Sequence, residues 1–335
     1  MQENQLLDVL TREGVLINVS VRYWRATKKL NAEDLGLDPD KVTERLISLG
    51  HKKLLPKEAL EAFALVESRA HALVEASTFP FLNGLSRFLP NAKLQAVLDK
   101  INGLVRDFAL AKTDFLARYA ETREKASAEW LEAARKLVND PERLVAAIEG
   151  SFPHPAEMER FFGFATQLFQ IRLPEKLDLQ LADAGQQQEI IRVRAQLARD
   201  TGARIHHEVE TFVSDCVASL RQQTAQLCEQ MLESMRTGKT GVHQKTLNRL
   251  IRFIDEFKQL NFAGDQQMEA ELERVRQAFL NRTAEEYRDS EFAQTQLKQG
   301  LQSLADTARQ LARQDAREIV ERFGNLGQRR LHLAA

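Results

Sequence analysis

From Val15 to Trp24 the chain reads VLINVSVRYW, which places Ile17, Val19, Val21 and Tyr23 on one side of an extended backbone and Asn18, Ser20 and Arg22 on the other. A period of two over β-branched residues predicts a half-buried strand. A strand needs a partner for its backbone groups. The best candidate is QLFQIRLP, where Gln167, Phe169, Ile171 and Leu173 alternate with Leu168, Gln170 and Arg172 before Pro174 ends the run. The two stretches, about 15–24 and about 166–173, are expected to pair.

Elsewhere the apolar period is that of a helix. Pro56 opens a short helix through about Glu75, with Phe63, Val66, Ala70, Leu73 and Val74 on one face. STFPFLNGLSRFLPN then interrupts the pattern. After Pro90 the positions Leu94, Leu98, Ile101, Val105, Phe108, Phe115, Tyr119, Trp130 and Leu137 predict one helix of some 45 residues. It weakens over ETREKASA, Glu121 to Ala128, which reads as an exposed stretch or a bend. Asp140 and Pro141 mark a new helix start, and SFPHP from Ser151 a connection.

From Gln186 to Met235 a second long helix carries Ile205, Val209, Val213, Cys216, Leu220, Leu227 and Met231, interrupted at Gln223 and Thr224. TGKTG turns the chain. A shorter helix with Leu247, Leu250, Ile251, Ile254 and Phe257 ends at NFAG, where Gly264 suits a C-terminal turn. A last segment to about Phe323 keeps Leu297, Leu301, Leu304, Ala308, Leu311 and Ile319 three and four apart. Stripes this narrow must be buried on a neighbour, within the chain or on a second copy. The expected fold is mainly α: an elongated antiparallel helical bundle or coiled coil with a small two-stranded β element near the N-terminus. Residues 1–90 form an N-terminal α/β region with a basic loop, 91–185 a long helix with a connection and the second strand, and 186–335 a coiled-coil region.

Composition agrees with helices, since Gly (15 of 335) and Pro (8) are both scarce. With 47 basic and 48 acidic side chains no global field draws the chain to nucleic acid or anionic lipid. No apolar run reaches the roughly 18 residues of a membrane span, and MQENQLLDVLTREG lacks the form of a secretory signal, so the expected location is the cytoplasm and no membrane partner is expected.

Candidate chemistry is sparse. GKT in TGKTG lacks the P-loop glycine five positions earlier, where Glu233 stands, and an interhelical turn is the simpler reading. Cys216 and Cys228 lie about 18 Å apart on one helix and read as buried thiols. His206, His207 and Glu210 supply too few ligands for a metal and read as a helix-surface group. HExxH and GxSxG are absent. No catalytic, metal or cofactor-binding residue is proposed. A helical enzyme with a dispersed site remains a third possibility, because such a site leaves no local motif.

The most basic stretch, Arg22 to Lys57, carries nine basic against five acidic side chains. Its Arg22, Trp24, Arg25, Lys28, Lys29, Lys52 and Lys53 form the candidate surface for a protein partner or for nucleic acid, where cations would meet phosphates and rings would stack on bases. The alternative is a solvated loop with Trp24 packed beneath it.

INVSVRYWRATKKLNAEDLGL, followed by LISLGHKKLLPKEALEAF, FLNG, FLARY and FFGFATQLFQI, resembles a bacterial domain-of-unknown-function family, number thirty-one fifty, over about residues 15 to 175. Asn83-Gly84 stands where that resemblance implies Gly-Gly. The resemblance implies a mobile-element or prophage context beside a MoxR-type AAA+ ATPase and a von Willebrand factor A protein. It implies no catalytic residues. Two functions are therefore expected: a non-enzymatic helical scaffold, self-associating and partnered with the ATPase, or a nucleic-acid-binding accessory factor in mobile-element maintenance or phage defence.

Overall fold

The computed structural model describes residues 5–35, 49–81, 84, 86–170, 187–237, 242–314 and 316–331, with side-chain surroundings given outside 187–204 and 325–331. The chain is mainly α-helical with a small sheet, as the periodicity predicts. It divides into two compact units, one drawn from Met1–Ile17, Ser77–Gln95 and Leu168–Ala335, the other from Asn18–Ala76 and Ala96–Gln167. This interleaved division replaces the expected consecutive blocks at 90 and 185.

Strand β1 (Gly14–Arg22) follows α1 (Gln5–Glu13). The sheet has the order β4-β5-β1-β6, with β4 at Phe79–Phe81, β5 at Ser86–Pro90 and β6 at Gly163–Phe169. The expected neighbour of β1 is thus present as β6, and residues 171–173 of the anticipated strand lie outside the described residues. The two-strand expectation was incomplete. The described residues of STFPFLNGLSRFLPN include two antiparallel strands, β4 and β5, in which Phe79 faces Phe88 and Phe81 faces Ser86. Its second strand runs antiparallel to β1, with Gly14 opposite Pro90 and Leu16 opposite Phe88. Gly84, at φ +85°, occupies the left-handed position that the hairpin turn requires. Gly14 is also required, because a Cβ there would lie 2.5 Å from the Leu89 carbonyl oxygen.

In the first unit, α5 (Gln187–Thr237) buries Val209, Val213, Cys216, Leu220, Leu227 and Met231. Helix α9 (Glu291–Arg313) packs along it with Leu297, Leu301, Leu304, Ala308 and Leu311. Between them α6 (Gln244–Leu260) and α7 (Gln266–Phe279) form an antiparallel hairpin. The ion pairs Lys258–Glu273 (2.8 Å) and Asp255–Arg276 (2.5 Å) set its register. Gly264 turns the chain at φ +74°, and the Asp265 carboxylate caps α7 by accepting from the Met268 amide. Phe262 in that turn packs against Phe79, Phe88, Phe212 and Phe323, which joins the β-hairpin to the helices. TGKTG lies outside the described residues beyond Thr237.

The last periodic segment is not one helix. Thr283 caps α8 (Ala284–Arg288) in a reciprocal box with Glu286, Ser290 caps α9, and α10 (Arg317–Leu331) follows and packs on α1. Each cap satisfies amides that a continuous helix would have bonded internally, so the chain can reset direction at each one.

Arg221 of α5 is 4% exposed and Asp265 is 2% exposed. The guanidinium donates to the Asp265 carboxylate at 2.6 Å and to the Leu311 carbonyl at 2.7 Å. One buried cation thereby ties α5 to the α6–α7 turn and to the end of α9.

In the second unit, α3 (Asn91–Leu137), which begins in the first unit, is a continuous helix of 47 residues. It runs unbroken through ETREKASA, which is exposed or half-buried except at Ala126, where a buried methyl takes the place of a ring. Leu137, expected on the seam, is exposed. Helix α2 (Glu61–Ser77) begins after a 3-10 turn at Lys57–Leu60, with Pro56 just outside it. Phe63 of α2 meets Tyr23, Phe108, Phe115 and Phe162. Asp140 caps α4 (Pro141–Glu149), as its place before Pro141 predicts.

Replacing Arg221 with alanine would leave the Asp265 carboxylate buried without its cation, a loss of roughly 3–5 kcal/mol. Chemical denaturation followed by circular dichroism should show this, and a loss under about 1 kcal/mol would mean the pair is not a tie.

Candidate interaction surface

Among the described residues of the basic stretch is a two-stranded ribbon, β2 (Thr27–Lys29) antiparallel to β3 (His51–Lys53), with Lys28 opposite Lys52, Thr27 opposite Lys53 and Lys29 opposite His51. Buried residues root both strands. Trp24 and Ala26 precede β2, and Leu54 and Leu55 follow β3, all in the second unit's core. Ala26 holds a left-handed backbone at φ +49°, uncommon for a residue with a Cβ, and its carbonyl accepts from the Leu54 amide at 2.6 Å. Leu30 donates to the Gly50 carbonyl at 3.1 Å and closes the far end.

Opposed residues in such a ribbon share a face. Lys28 and Lys52 lie on one face, and only Lys52 is buried there, at 7% exposure. Its ammonium meets the Asp34 carboxylate at 2.7 Å, and the Asn31 amide donates to the same carboxylate oxygen at 2.9 Å. Thr27, Lys29, His51 and Lys53 share the other face, and all four are exposed. That face is cationic.

The remaining candidate residues fall elsewhere. Trp24 is 8% exposed and packs on Tyr119 and Phe152, so its ring belongs to the core and offers no stacking platform. Arg25 lies over the Tyr23 ring, donates to the Tyr23 hydroxyl and makes a two-point ion pair with Glu67 at 2.6 and 2.9 Å. This hydrogen bond from Arg25 holds the Glu67 carboxyl below its ordinary value. Arg22 is exposed, with its guanidinium beside Gly163 of β6. Lys41 and Arg45 lie outside the described residues.

Sequence reasoning missed a groove of about 200 Å³ beside the ribbon, lined by Lys53, Leu54, Leu55 and Pro56 on one side and Ala126, Glu129, Trp130 and Ala133 of α3 on the other. The Trp130 indole N–H donates to the Lys53 carbonyl at 2.9 Å, which fixes the ring at the groove's edge. The available signal was small residues where the seam would carry rings, Ala126 within the run without large apolar residues and Ala133 beyond it. A more polar groove of about 500 Å³ lies between α5 and α6. Its Arg249 donates to Gln230 and its Arg252 to the Asn248 carbonyl.

Both thiols are buried in the α5 seam, as their spacing predicts. Desolvation pushes Cys228 up to about 12 and Cys216 well above the usual thiol range. His206 and Glu210 approach to 3.5 Å one turn apart, and no cluster of three metal-ligating side chains exists among the described residues. A family model, Protein of unknown function (DUF3150), matches residues 11–286. The match runs well past residue 175 and takes in α5, α6 and α7. No curated protein and no solved structure matches the chain.

Both cysteines should be silent to a thiol-specific chromogenic reagent in the native protein and react fully in denaturant, because a buried thiol is rarely a thiolate; fast native labelling of either would contradict the burial. Glu67, depressed when folded, contributes stability above its ordinary value near 4.5 that is lost as pH falls through the lower folded value. Glu67→Gln should therefore flatten the acid limb of a stability–pH profile, by less than about 1 kcal/mol because the pair is partly exposed.

Proposed function

The chain belongs to the DUF3150 family, and on that premise we propose that it is a non-enzymatic helical interaction protein, with the ribbon of β2 and β3 as its contact face. One observation carries the reading: short strands project Lys29, His51 and Lys53 outward while buried residues on both sides hold them in place. Such a rooted, charged face costs little to order on binding. The partner class proposed is an AAA+ ATPase of the MoxR type with its von Willebrand factor A companion, in the setting of a mobile element. Self-association through helical faces is part of the same proposal. No helix among the described residues is long and apolar enough to cross a membrane, and the cytoplasm is the proposed site of action.

A second reading, binding of nucleic acid, is favoured by the same exposed lysines. With Trp24 in the core, this reading keeps the electrostatic contribution without the stacking ring.

Light scattering on a size-exclusion column, with a MoxR-type AAA+ ATPase added, should give a co-eluting complex heavier than the 38.2 kDa chain. A 38.2 kDa monomer that ignores the ATPase would overturn the interaction reading. A shift with single-stranded DNA that vanishes at high salt and in the Lys28→Ala, Lys29→Ala double variant would put nucleic acid in its place.

A further inference from the structure

We infer that the groove beside Lys53 takes one apolar side chain of an extended acidic peptide on a partner protein, while the cationic face of the ribbon holds the flanking carboxylates. This inference rests on the interaction reading above and names the chemistry of the partner.

The size of the groove selects a side chain. At about 200 Å³ it falls below the roughly 300–1,000 Å³ of pockets that enclose small molecules. Its walls are apolar: Leu54, Leu55 and Pro56 face Ala126, Trp130 and Ala133. The space is a product of register. The α3 seam carries rings at Phe108, Phe115 and Tyr119; seven residues on it buries only the methyl of Ala126, and seven more on the half-buried Ala133 lines the groove. Trp130 cannot swing in to fill the gap without giving up its bond to the Lys53 carbonyl.

Charge selects the rest of the peptide. Lys53 stands at the lip and shares the outer face with Lys29 and His51. Lys53 is not held in an ion pair among the described residues, whereas Lys52 and Arg25 are already neutralised by Asp34 and Glu67. Glu129 is the acidic residue in the lining, and it lies on the α3 wall. Carboxylates are therefore drawn to the ribbon side and repelled from the α3 side, which orients the peptide.

The test is fluorescence anisotropy of the full-length protein with twin labelled nine-residue peptides of aspartate and glutamate, one with a central leucine and one with a central alanine. The leucine peptide should bind about tenfold more tightly. Ala133→Leu, which fills the groove with a good helix former, should abolish that ratio, and Lys53→Glu should weaken both peptides severalfold. Equal affinity of the twins for the wild-type protein would overturn the inference without recourse to any variant. So would a ratio that survives in a folded Ala133→Leu, or a thymidine oligonucleotide that outcompetes both peptides. If the twins bind equally while the ATPase still co-elutes, the groove assignment fails and the interaction reading stands. If the twins differ and the ATPase does not co-elute, the groove stands and the choice of partner fails.

Discussion

Helices of 47 and 51 residues with one narrow apolar stripe cannot exist in water on their own propensity, and the architecture answers that constraint twice. In the first unit α5 is packed by α9, with α6 and α10 beside it. In the second, α3 is covered by α2, by the residues that root the ribbon and by the 3-10 segment Pro155–Phe161. The covering elements are short because each needs to match only a few turns of the stripe. Their caps, at Asp140, Asp265, Thr283 and Ser290, make the short lengths tolerable by satisfying the amides that each new helix start exposes.

Buried charge follows a parallel logic. Arg221 and Lys52 each lie where an unpaired cation would be costly, and each meets a carboxylate from a different segment of its own unit. Such pairs specify which segments must meet more than they add net stability. The Lys52–Asp34 pair neutralises one charge on the face that Lys28 and Lys52 share, while Lys29, His51 and Lys53 lie on the opposite face. Whatever docks there meets a fixed arrangement rather than a floppy basic loop.

The two long helices were legible because a 3.6-residue period sustained over a dozen turns is a strong signal: α3 and α5 begin and end close to their expected limits. Strand β1 was legible from its alternation. The β4–β5 hairpin was not, because Phe79–Phe81 is too short to show a period and its Pro80 argues against a strand. Three-residue strands hid the ribbon in the same way, so Lys52 and Lys53 could not be assigned to opposite faces from the sequence. Of the two readings of Trp24, a ring stacking on bases or one packed beneath the loop, the second holds, because the indole has far more to gain from Tyr119 and Phe152 than from water. The missing large residues at Glu121 to Ala128 were read as exposure or a bend, and the stretch is a largely exposed part of the helix; that its one buried side chain, Ala126, also lines a groove was not legible.

The interleaving of the two units also governs the order in which the chain can fold as it is synthesised. Every segment of the second unit has been made by Gln167, before any of α5 exists. That unit can pack while still tethered to the ribosome. The first unit cannot: Leu6, Leu10, Phe79, Phe81 and Phe88 emerge early, yet their partners Phe212 and Phe262 come much later. At about 5–20 residues per second the early apolar segments wait on the order of ten to thirty seconds for those rings. The nascent chain at that stage holds a finished insert and an orphaned apolar hairpin.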